Sequence, residues 1–211
     1  MSDVAGYILV GGKSSRFGSD KALVELGGRP LALCVADALY PVTGEVTLVG
    51  SPEKYLPLGL RVISDPLPHF GPLAGILAAL EDSNSAWNLL VACDMPGISS
   101  EFLSFLLERA RESRADVMLP VDAGGRAEPL CAAYALGSRE AIRQAVEQGT
   151  HKVTDAFDGL RVGRLLPAEY GRFDPDGRLF ANLNSPADWE ELGGEKLDRE
   201  KLARGPGPKV C

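Results

Sequence analysis

The chain has 211 residues, of which 45% are hydrophobic and 24% charged, and its formal net charge is −7. This composition is that of an ordinary soluble globular protein, and the length suits one sizeable α/β domain better than two small ones. The acidic excess argues against an extended nucleic-acid-binding face, although a local basic pocket could still bind a phosphorylated small molecule. No apolar run reaches the roughly 18 residues that suggest a transmembrane helix, so no membrane contact is predicted.

The N-terminus and the cysteines fit a cytoplasmic enzyme. The opening MSDVAGYILVGG has no basic region before its apolar run, which a signal peptide would require. The 4 cysteines are widely separated and none belongs to a C-x-x-C pair. Neither a zinc site nor a disulfide framework is therefore predicted.

Apolar segments recur along the chain and predict strands. Several of them lack polar alternation, which is typical of strands that helices cover on both faces of a sheet. The predicted strands span residues 5–10, 45–50, 60–64, 87–93, 116–120 and 130–136.

Segments with helical periodicity lie between and after these strands. Pro30 suits the first position of the first helix. Ser99 or Ser100 suits the N-cap of the third helix, and Ser138 suits that of the fourth. The predicted helices span residues 29–39, 72–82, 99–112 and 137–149.

The alternation of strands and helices predicts an α/β fold with a mostly parallel sheet, helices on both faces and right-handed crossovers. One domain over residues 1–194 is expected, followed by a charged and then Gly/Pro-rich tail over 195–211 that we expect to be flexible. In such sheets ligands bind outside the carboxyl ends of the strands. The segments GGKSSRFG, SDP and CDMP fall at those ends, which predicts a single active cleft.

The segment GGKSSRFGSDK, after the first strand, is the first candidate site. It is neither a Walker A loop, because Lys and Ser/Thr do not follow its last glycine, nor a G-x-G-x-x-G dinucleotide fingerprint. One interpretation is a flexible Gly/Ser turn. The favoured one is a phosphate cradle, because exposed backbone N–H groups beside the cations Arg16 and Lys21 bind anions, while Gly11 and Gly12 allow close approach.

Two aspartates follow later strands. Asp94 ends an apolar run directly before Met95 and Pro96, so it is either a turn or cap residue or a carboxylate that faces the phosphate loop. Because Mg²⁺ is typically held by one or two carboxylates plus substrate phosphates, Asp94 is the candidate metal ligand. Asp65 is either a turn residue or a group that recognises a nucleotide or contributes to the metal region.

The segment FANLNSPADWEEL is the last candidate. Asn182 and Asn184 alternate on an extended stretch, so both amides point to one side. They are either turn formers or a recognition pair for a heterocycle with donors and acceptors, such as a base or a pterin. Ser185 followed by Pro186 predicts the start of a short helix. Upstream, GGRAEPLCAAY is interpreted as a turn that leads into a strand, with contact between Arg126 and an anionic substrate as the alternative.

Taken in order, these motifs resemble the molybdenum cofactor guanylyltransferases. That family begins with a pattern like L-x-G-G-x-S-x-R-M-G-x-D-K, and this chain has LVGGKSSRFGSDK, with Phe17 in place of the common Met. The resemblance continues through SDP, GPLAG, CDMP, EPLCAAY and NLNSPADW and covers roughly residues 5–192. It implies a single Rossmann-like nucleotidyltransferase domain without the NAD fingerprint.

The resemblance also implies the reaction: GTP and molybdopterin, as the molybdenum cofactor, give the guanine dinucleotide form and pyrophosphate with the help of Mg²⁺. Asp94 is the implied Mg²⁺ ligand. By motif match, the implied GTP-binding residues are Leu9, Val10, Gly11, Gly12, Lys21, Asp65 and Asp94, and those on the pterin side are Asn182 and Asn184.

This chemistry needs no protein nucleophile, because the phosphate of the cofactor attacks the α-phosphorus of GTP. Catalysis then consists of alignment and charge neutralisation, for which Arg16, Lys21 and Asp94 with Mg²⁺ are the expected catalytic groups. Transient contacts with cofactor-biosynthesis or acceptor proteins are compatible with this role.

Two alternatives stay open. The nearer is a related nucleotidyltransferase that uses CTP with molybdopterin or an NTP with a sugar phosphate; VGG and GPLAG resemble the guanylyl branch more. The other is a non-catalytic nucleotide- or cofactor-binding module, against which the presence of both Lys21 and Asp94 argues.

Overall fold

The computed structural model describes residues 3–11, 20–67 and 69–183, and nine strands lie in these ranges. Each of the six predicted strands is confirmed, with ends shifted by at most one residue. The strands are β1 (Val4–Leu9), β2 (Glu25–Leu26), β3 (Arg29–Pro30), β4 (Val46–Val49), β5 (Arg61–Ile63), β6 (Trp87–Ala92), β7 (Val117–Pro120), β8 (Cys131–Ala135) and β9 (Val162–Leu165).

Seven of these strands form one sheet in the order β5-β4-β1-β6-β8-β7-β9, and β2 pairs with β3 in a separate hairpin. Within the large sheet only β8 runs antiparallel to its neighbours, so the prediction of a mostly parallel sheet is confirmed. The sequence pattern did not predict β9. Its four residues include Gly163 and Arg164 and lie at the side of the sheet, so they lack a continuous apolar run.

The four predicted helices are present, together with two short ones. Ser99 caps its helix as predicted, because its Oγ accepts a hydrogen bond from the Phe102 N–H at 3.2 Å. Ser138 occupies the N-cap position, but its hydroxyl donates to the Ala135 carbonyl instead. Pro30 precedes the first helix because it pairs with Glu25 in the hairpin. The helices are α1 (Leu31–Thr43), α2 (Pro52–Tyr55), α3 (Pro72–Asp82), α4 (Ser100–Glu112), α5 (Arg139–Glu147) and α6 (Pro167–Tyr170).

The apolar core lies on both faces of the sheet. On β6, Leu89 and Val91 contact the layer that contains α1 and α4, while Leu90 contacts the layer of α3 and α5. This alternation follows from the two-residue period of a strand, and it explains why the predicted strands are apolar throughout. Polar chemistry is therefore left to the loops at the two ends of the strands.

Two predictions concern the C-terminal region. The helix expected after Ser185 and the tail 195–211 lie outside the described residues. Among the residues that the structure describes, no helix has the length and apolar character that crossing a membrane requires.

Candidate active site

The predicted site segments lie at one end of the sheet, which we call the carboxyl end because β1, β4, β5, β6 and β7 all finish there. Leu9 is in register with Val49 and with Ala92, and Val49 is in register with Ile63. The loops after these strands therefore begin side by side. Parallel pairing thus collects segments that are far apart in the sequence.

Lys21 and Asp94 meet at this carboxyl end. The Lys21 Nζ lies 3.2 Å from the Asp94 Oδ2. Lys21 starts a short 3-10 helix, Lys21–Leu23, and Asp94 follows β6 by two residues. Their side chains are 19% and 22% exposed, so both can still reach a ligand. The structure thus brings together the cation and the carboxylate that the sequence singled out.

A buried tyrosine supports the turn that carries Lys21. Asp20 is the N-cap of this turn, and its Oδ1 accepts a hydrogen bond from the Ala22 N–H at 3.3 Å. The Tyr55 hydroxyl donates to the Asp20 Oδ2 at 2.7 Å, and the Lys54 Nζ lies 3.5 Å from the same oxygen. Burial, and then the Asp20 carboxylate, raise the pKa of Tyr55, so its hydroxyl remains a hydrogen-bond donor. Sequence reasoning missed Tyr55, because nothing local links it to a loop 35 residues earlier.

Two glycines let the backbone pack tightly here. Gly11 has φ +116°, which side-chain-bearing residues rarely adopt. A Cβ at Gly50 would lie 2.5 Å from the Val10 carbonyl oxygen and 2.8 Å from the Tyr55 ring. Glycine at position 50 therefore leaves the space in which Tyr55 packs beside Val10.

Two further residues that were predicted to bind the nucleotide, Leu9 and Val10, pack into the core at the end of β1. Val10 is buried and its N–H donates to the Val49 carbonyl at 3.1 Å. Leu9 faces α3, where a Cβ at Gly75 would lie 3.2 Å from its Cδ2. Gly75 thus permits α3 to pack closely against Leu9.

Asp65 is a turn residue, as the simpler of its two interpretations predicted. Its Oδ1 accepts a hydrogen bond from the Leu67 N–H at 2.8 Å, which is the geometry of an Asx turn. The residue is only partly buried, and it follows β5 by two residues at the same end of the sheet.

The C-terminal part of the described chain crosses the loop after β6. The Leu183 N–H donates to the Asp94 carbonyl at 3.0 Å. Asn182 therefore directly precedes a residue that is bonded to the Asp94 backbone. Phe180 anchors this segment by edge-to-face contacts with Phe102 and Tyr170, at centroid distances of 5.4 and 5.3 Å. The other predicted site residues, Gly12, Arg16 and Asn184, lie outside the described residues.

The turn after β7 confirms one interpretation of the sequence. The Asp122 Oδ1 accepts hydrogen bonds from the N–H groups of Gly124 and Arg126, at 2.9 and 2.8 Å. The Arg126 side chain is 78% exposed and pairs with Asp122 at 3.2 Å. GGRAEPLCAAY is therefore a turn that leads into β8.

This turn also delivers Glu128, a site candidate that sequence reasoning missed. Glu128 is only 8% exposed, and burial raises the pKa of its carboxyl group. The negative charges of Asp122 and Asp94 act in the same direction, while Arg126 opposes them. The only available signal was a glutamate directly before an apolar strand, within the EPLCAAY motif.

The side chains at the carboxyl end can be compared with the ligands that Mg²⁺ usually has in proteins. In the described part of the chain, no group of three or more His, Cys, Asp or Glu side chains could form a complete metal site. Mg²⁺ usually keeps waters and binds one or two carboxylates plus substrate phosphates, so it needs no protein cage. The partly exposed Asp94 carboxylate fits that arrangement.

Comparisons with known proteins agree with this geometry. Residues 6–161 match the model of the MobA-like NTP transferase domain. A "probable molybdenum cofactor guanylyltransferase" of Pelotomaculum thermopropionicum is 36% identical over 89% of this chain and 91% of its own. A molybdenum cofactor guanylyltransferase of Yersinia pestis is 30% identical over 90% of this chain and 96% of its own.

A solved structure extends the comparison to three dimensions. The molybdopterin-guanine dinucleotide biosynthesis protein A of Archaeoglobus fulgidus superposes with a TM-score of 0.78 and 27% identity, over 89% of this chain and 96% of that one. The fold, the matched segment and the relatives agree. This chain belongs to the MobA-like NTP transferase family and is a nucleotidyltransferase.

Proposed function

We propose that this enzyme transfers GMP from GTP to the phosphate of molybdopterin, in the form of the molybdenum cofactor, and releases pyrophosphate. The observation that carries the proposal is the contact between Lys21 and Asp94 at the carboxyl end of a MobA-like domain. Relatives that share 30–36% of the sequence bear the name of that activity. We propose a cytoplasmic location and only transient contacts with cofactor-biosynthesis or acceptor proteins.

The residues suggest how the substrates would be aligned. The triphosphate of GTP would lie along the loop between Gly11 and Lys21, where backbone N–H groups and the cations Arg16 and Lys21 offset its charge. Leu9, Val10, Gly12 and Asp65 would complete the nucleotide side, and Asn182 with Asn184 would face the pterin. Tyr55 and Asp20 would hold Lys21 in place.

The chemical step is an in-line displacement. A phosphate oxygen of the cofactor forms a bond to the α-phosphorus, and the bond from that phosphorus to the bridging oxygen breaks. Pyrophosphate leaves with the electron pair, and Lys21 stabilises the charge that builds on it. Mg²⁺, held by Asp94 and the phosphates, would neutralise further charge on the phosphoryl oxygens when bound.

Pyrophosphate release tests this proposal. The enzyme would be assayed with the molybdenum cofactor, Mg²⁺ and either GTP, CTP or UTP. We expect release with GTP, and turnover of CTP alone would reject the guanylyl assignment in favour of the nearest alternative.

Asp94→Asn tests the proposed metal ligand in the same assay. Its expected effect is a loss of about 100-fold or more in rate, by analogy with removal of one charge-stabilising group. Asp37→Asn is the matched control, because that aspartate pairs with Arg29 on the exposed side of α1 and should leave the rate unchanged. Full Mg²⁺-dependent transfer by Asp94→Asn would remove the metal role.

A further inference from the structure

Asp94 divides the carboxyl end of the sheet into two halves. It follows the central strand β6, with β1, β4 and β5 on one side and β8, β7 and β9 on the other. Gly11, Lys21 and Asp65 all belong to the first half. Because an in-line transfer places the acceptor and the leaving pyrophosphate on opposite sides of the α-phosphorus, we expect the acceptor in the second half.

Glu128 lies in this second half. Its N–H donates to the Pro120 carbonyl at the end of β7, at 3.0 Å. Two residues later the Leu130 carbonyl accepts a hydrogen bond from the Ala92 N–H at the end of β6, at 2.8 Å. Glu128 is therefore fixed between the ends of β7 and β6.

Most of the charged groups that act on Glu128 are negative. It is the one buried carboxylate among the described residues. Among the described residues, Arg126 is the cation that pairs with it: the Arg126 Nε is 3.6 Å from the Glu128 Oε1, and the Arg126 side chain is mostly in solvent. Asp94 and Asp122 add negative charge. A largely buried carboxylate is stabilised by hydrogen-bond donors, and a ligand with neighbouring N–H groups can supply them.

We propose that Glu128 binds the 2-amino and N3–H groups of the pterin in the acceptor, an inference that rests on the proposed function. These two groups are neighbouring donors on one edge of a planar ring, and they match the two oxygens of a carboxylate as a guanidinium does. A buried position strengthens this pairing because solvent does not compete for the oxygens. Glu128 is thus a specificity residue for the acceptor and has no part in bond breaking.

A ligand exchange combined with a mutation tests this contact. The probes are 6-hydroxymethylpterin phosphate and the corresponding lumazine phosphate, in which a 2-oxo group replaces the 2-amino group. Binding would be followed by fluorescence with the full-length enzyme, Mg²⁺ and saturating GDP. We expect the wild type to prefer the pterin by about tenfold, which corresponds to about 1.4 kcal/mol.

Glu128→Gln should abolish or reverse this preference. A glutamine can donate to the 2-oxo group and still accept from N3–H, so the lumazine becomes the better partner. Glu112→Gln is the matched control, because that exposed glutamate pairs with Arg109 on α4 and should leave the preference unchanged. An unchanged preference in Glu128→Gln, or none in the wild type, would overturn the proposal.

Two further measurements separate other roles of Glu128. Guanine carries the same donor edge, so the ratio of GTP to ITP affinity is compared in the wild type and in Glu128→Gln. A change in that ratio, or an increased Mg²⁺ requirement for transfer in the variant, would assign Glu128 to the nucleotide or the metal and reject the pterin contact. Failure of the proposed function would be seen separately, as absence of GMP transfer by a wild type that retains its preference for the pterin.

Discussion

At each end of the sheet a tyrosine hydroxyl donates a hydrogen bond to an aspartate, but the two pairs have different surroundings. At the carboxyl end, the Tyr55 hydroxyl donates to Asp20 at 2.7 Å, and Lys54 lies close to the same carboxylate. At the opposite end, which we call the amino end, the Tyr7 hydroxyl donates to Asp82 at 2.9 Å. Arg61 completes this second cluster with two hydrogen bonds of 2.6 Å to Asp82.

The difference lies in what each aspartate supports. Asp82 is the last residue of α3, and its carboxylate accepts two hydrogen bonds from the Arg61 guanidinium. The hydrogen bonds from Arg61, and then that from the Tyr7 hydroxyl, lower the pKa of Asp82. Asp20 instead caps the turn that presents Lys21 to Asp94, at a surface that remains partly open. A tyrosine–aspartate hydrogen bond stabilises the fold in both places, but only the pair at the carboxyl end also supports the turn that carries Lys21 toward Asp94.

Removal of the cation should show the largest contrast. Lys21→Ala is expected to lower kcat/KM for guanylyl transfer by about 100-fold, because a charge-stabilising group is lost. Its melting temperature should stay close to that of the wild type, because a partly exposed loop cation contributes little to the core. Lys54→Ala is the matched control and should change kcat/KM little, since its side chain is 62% exposed. A loss of stability that accounts for the loss of activity would contradict this role of Lys21.

The two tyrosines provide the sharpest comparison. Tyr55→Phe and Tyr7→Phe each delete one hydroxyl that donates to a carboxylate, so each should lower the free energy of unfolding by about 1.5–3 kcal/mol. Only Tyr55→Phe should raise the KM for GTP, by about tenfold, because Lys21 is then less well oriented. Chemical unfolding and steady-state kinetics on both variants test this. Equal kinetic effects of the two substitutions would show that Tyr55 acts only through stability.

Substitution of two crowded glycines, one near each end of the sheet, should have a smaller effect on activity. A Cβ at Gly97 would lie 2.5 Å from the Arg178 carbonyl oxygen, and one at Gly6 would lie 2.7 Å from the Thr43 Oγ1. Gly97→Ala and Gly6→Ala should each destabilise the protein by about 1–3 kcal/mol through overpacking. Only Gly97→Ala should also raise the KM for the molybdenum cofactor, since it displaces the segment that carries Asn182. An unchanged KM for the molybdenum cofactor in Gly97→Ala would show that this segment has no role in acceptor binding.

The pH dependence of stability should show the smallest difference. Asp82 has a lowered pKa in the folded protein, first through its hydrogen bonds with Arg61. Its stabilising effect is therefore complete above the unfolded-state pKa of about 3.9 and is lost as the pH falls through the lower folded-state value. Asp82→Asn should melt below the wild type at pH 7, and the gap should narrow in acid. A constant gap between pH 7 and pH 3 would contradict this.

Much of this molecule follows from local sequence patterns. The six predicted strands and four predicted helices are present because apolar runs and helical periodicity act over short distances. Ser99 caps α4 as expected, whereas Ser138 bonds to Ala135 because the preceding 3-10 turn brings that carbonyl closer. Residues of mixed polarity, such as those of β9, have no such signal and become a strand only through pairing with β7.

The sequence by itself determined the alternation of strands and helices, the family resemblance and the candidates Lys21 and Asp94. The distance of 3.2 Å between Lys21 and Asp94, the hydrogen bond from Tyr55 to Asp20 and the burial of Glu128 all depend on the tertiary structure. The physical reason is that strand order and register decide which loops meet, and these depend on packing across the whole sheet. Composition and periodicity record which residues are apolar, whereas the partner of a polar side chain is fixed by neighbours that lie tens of residues away.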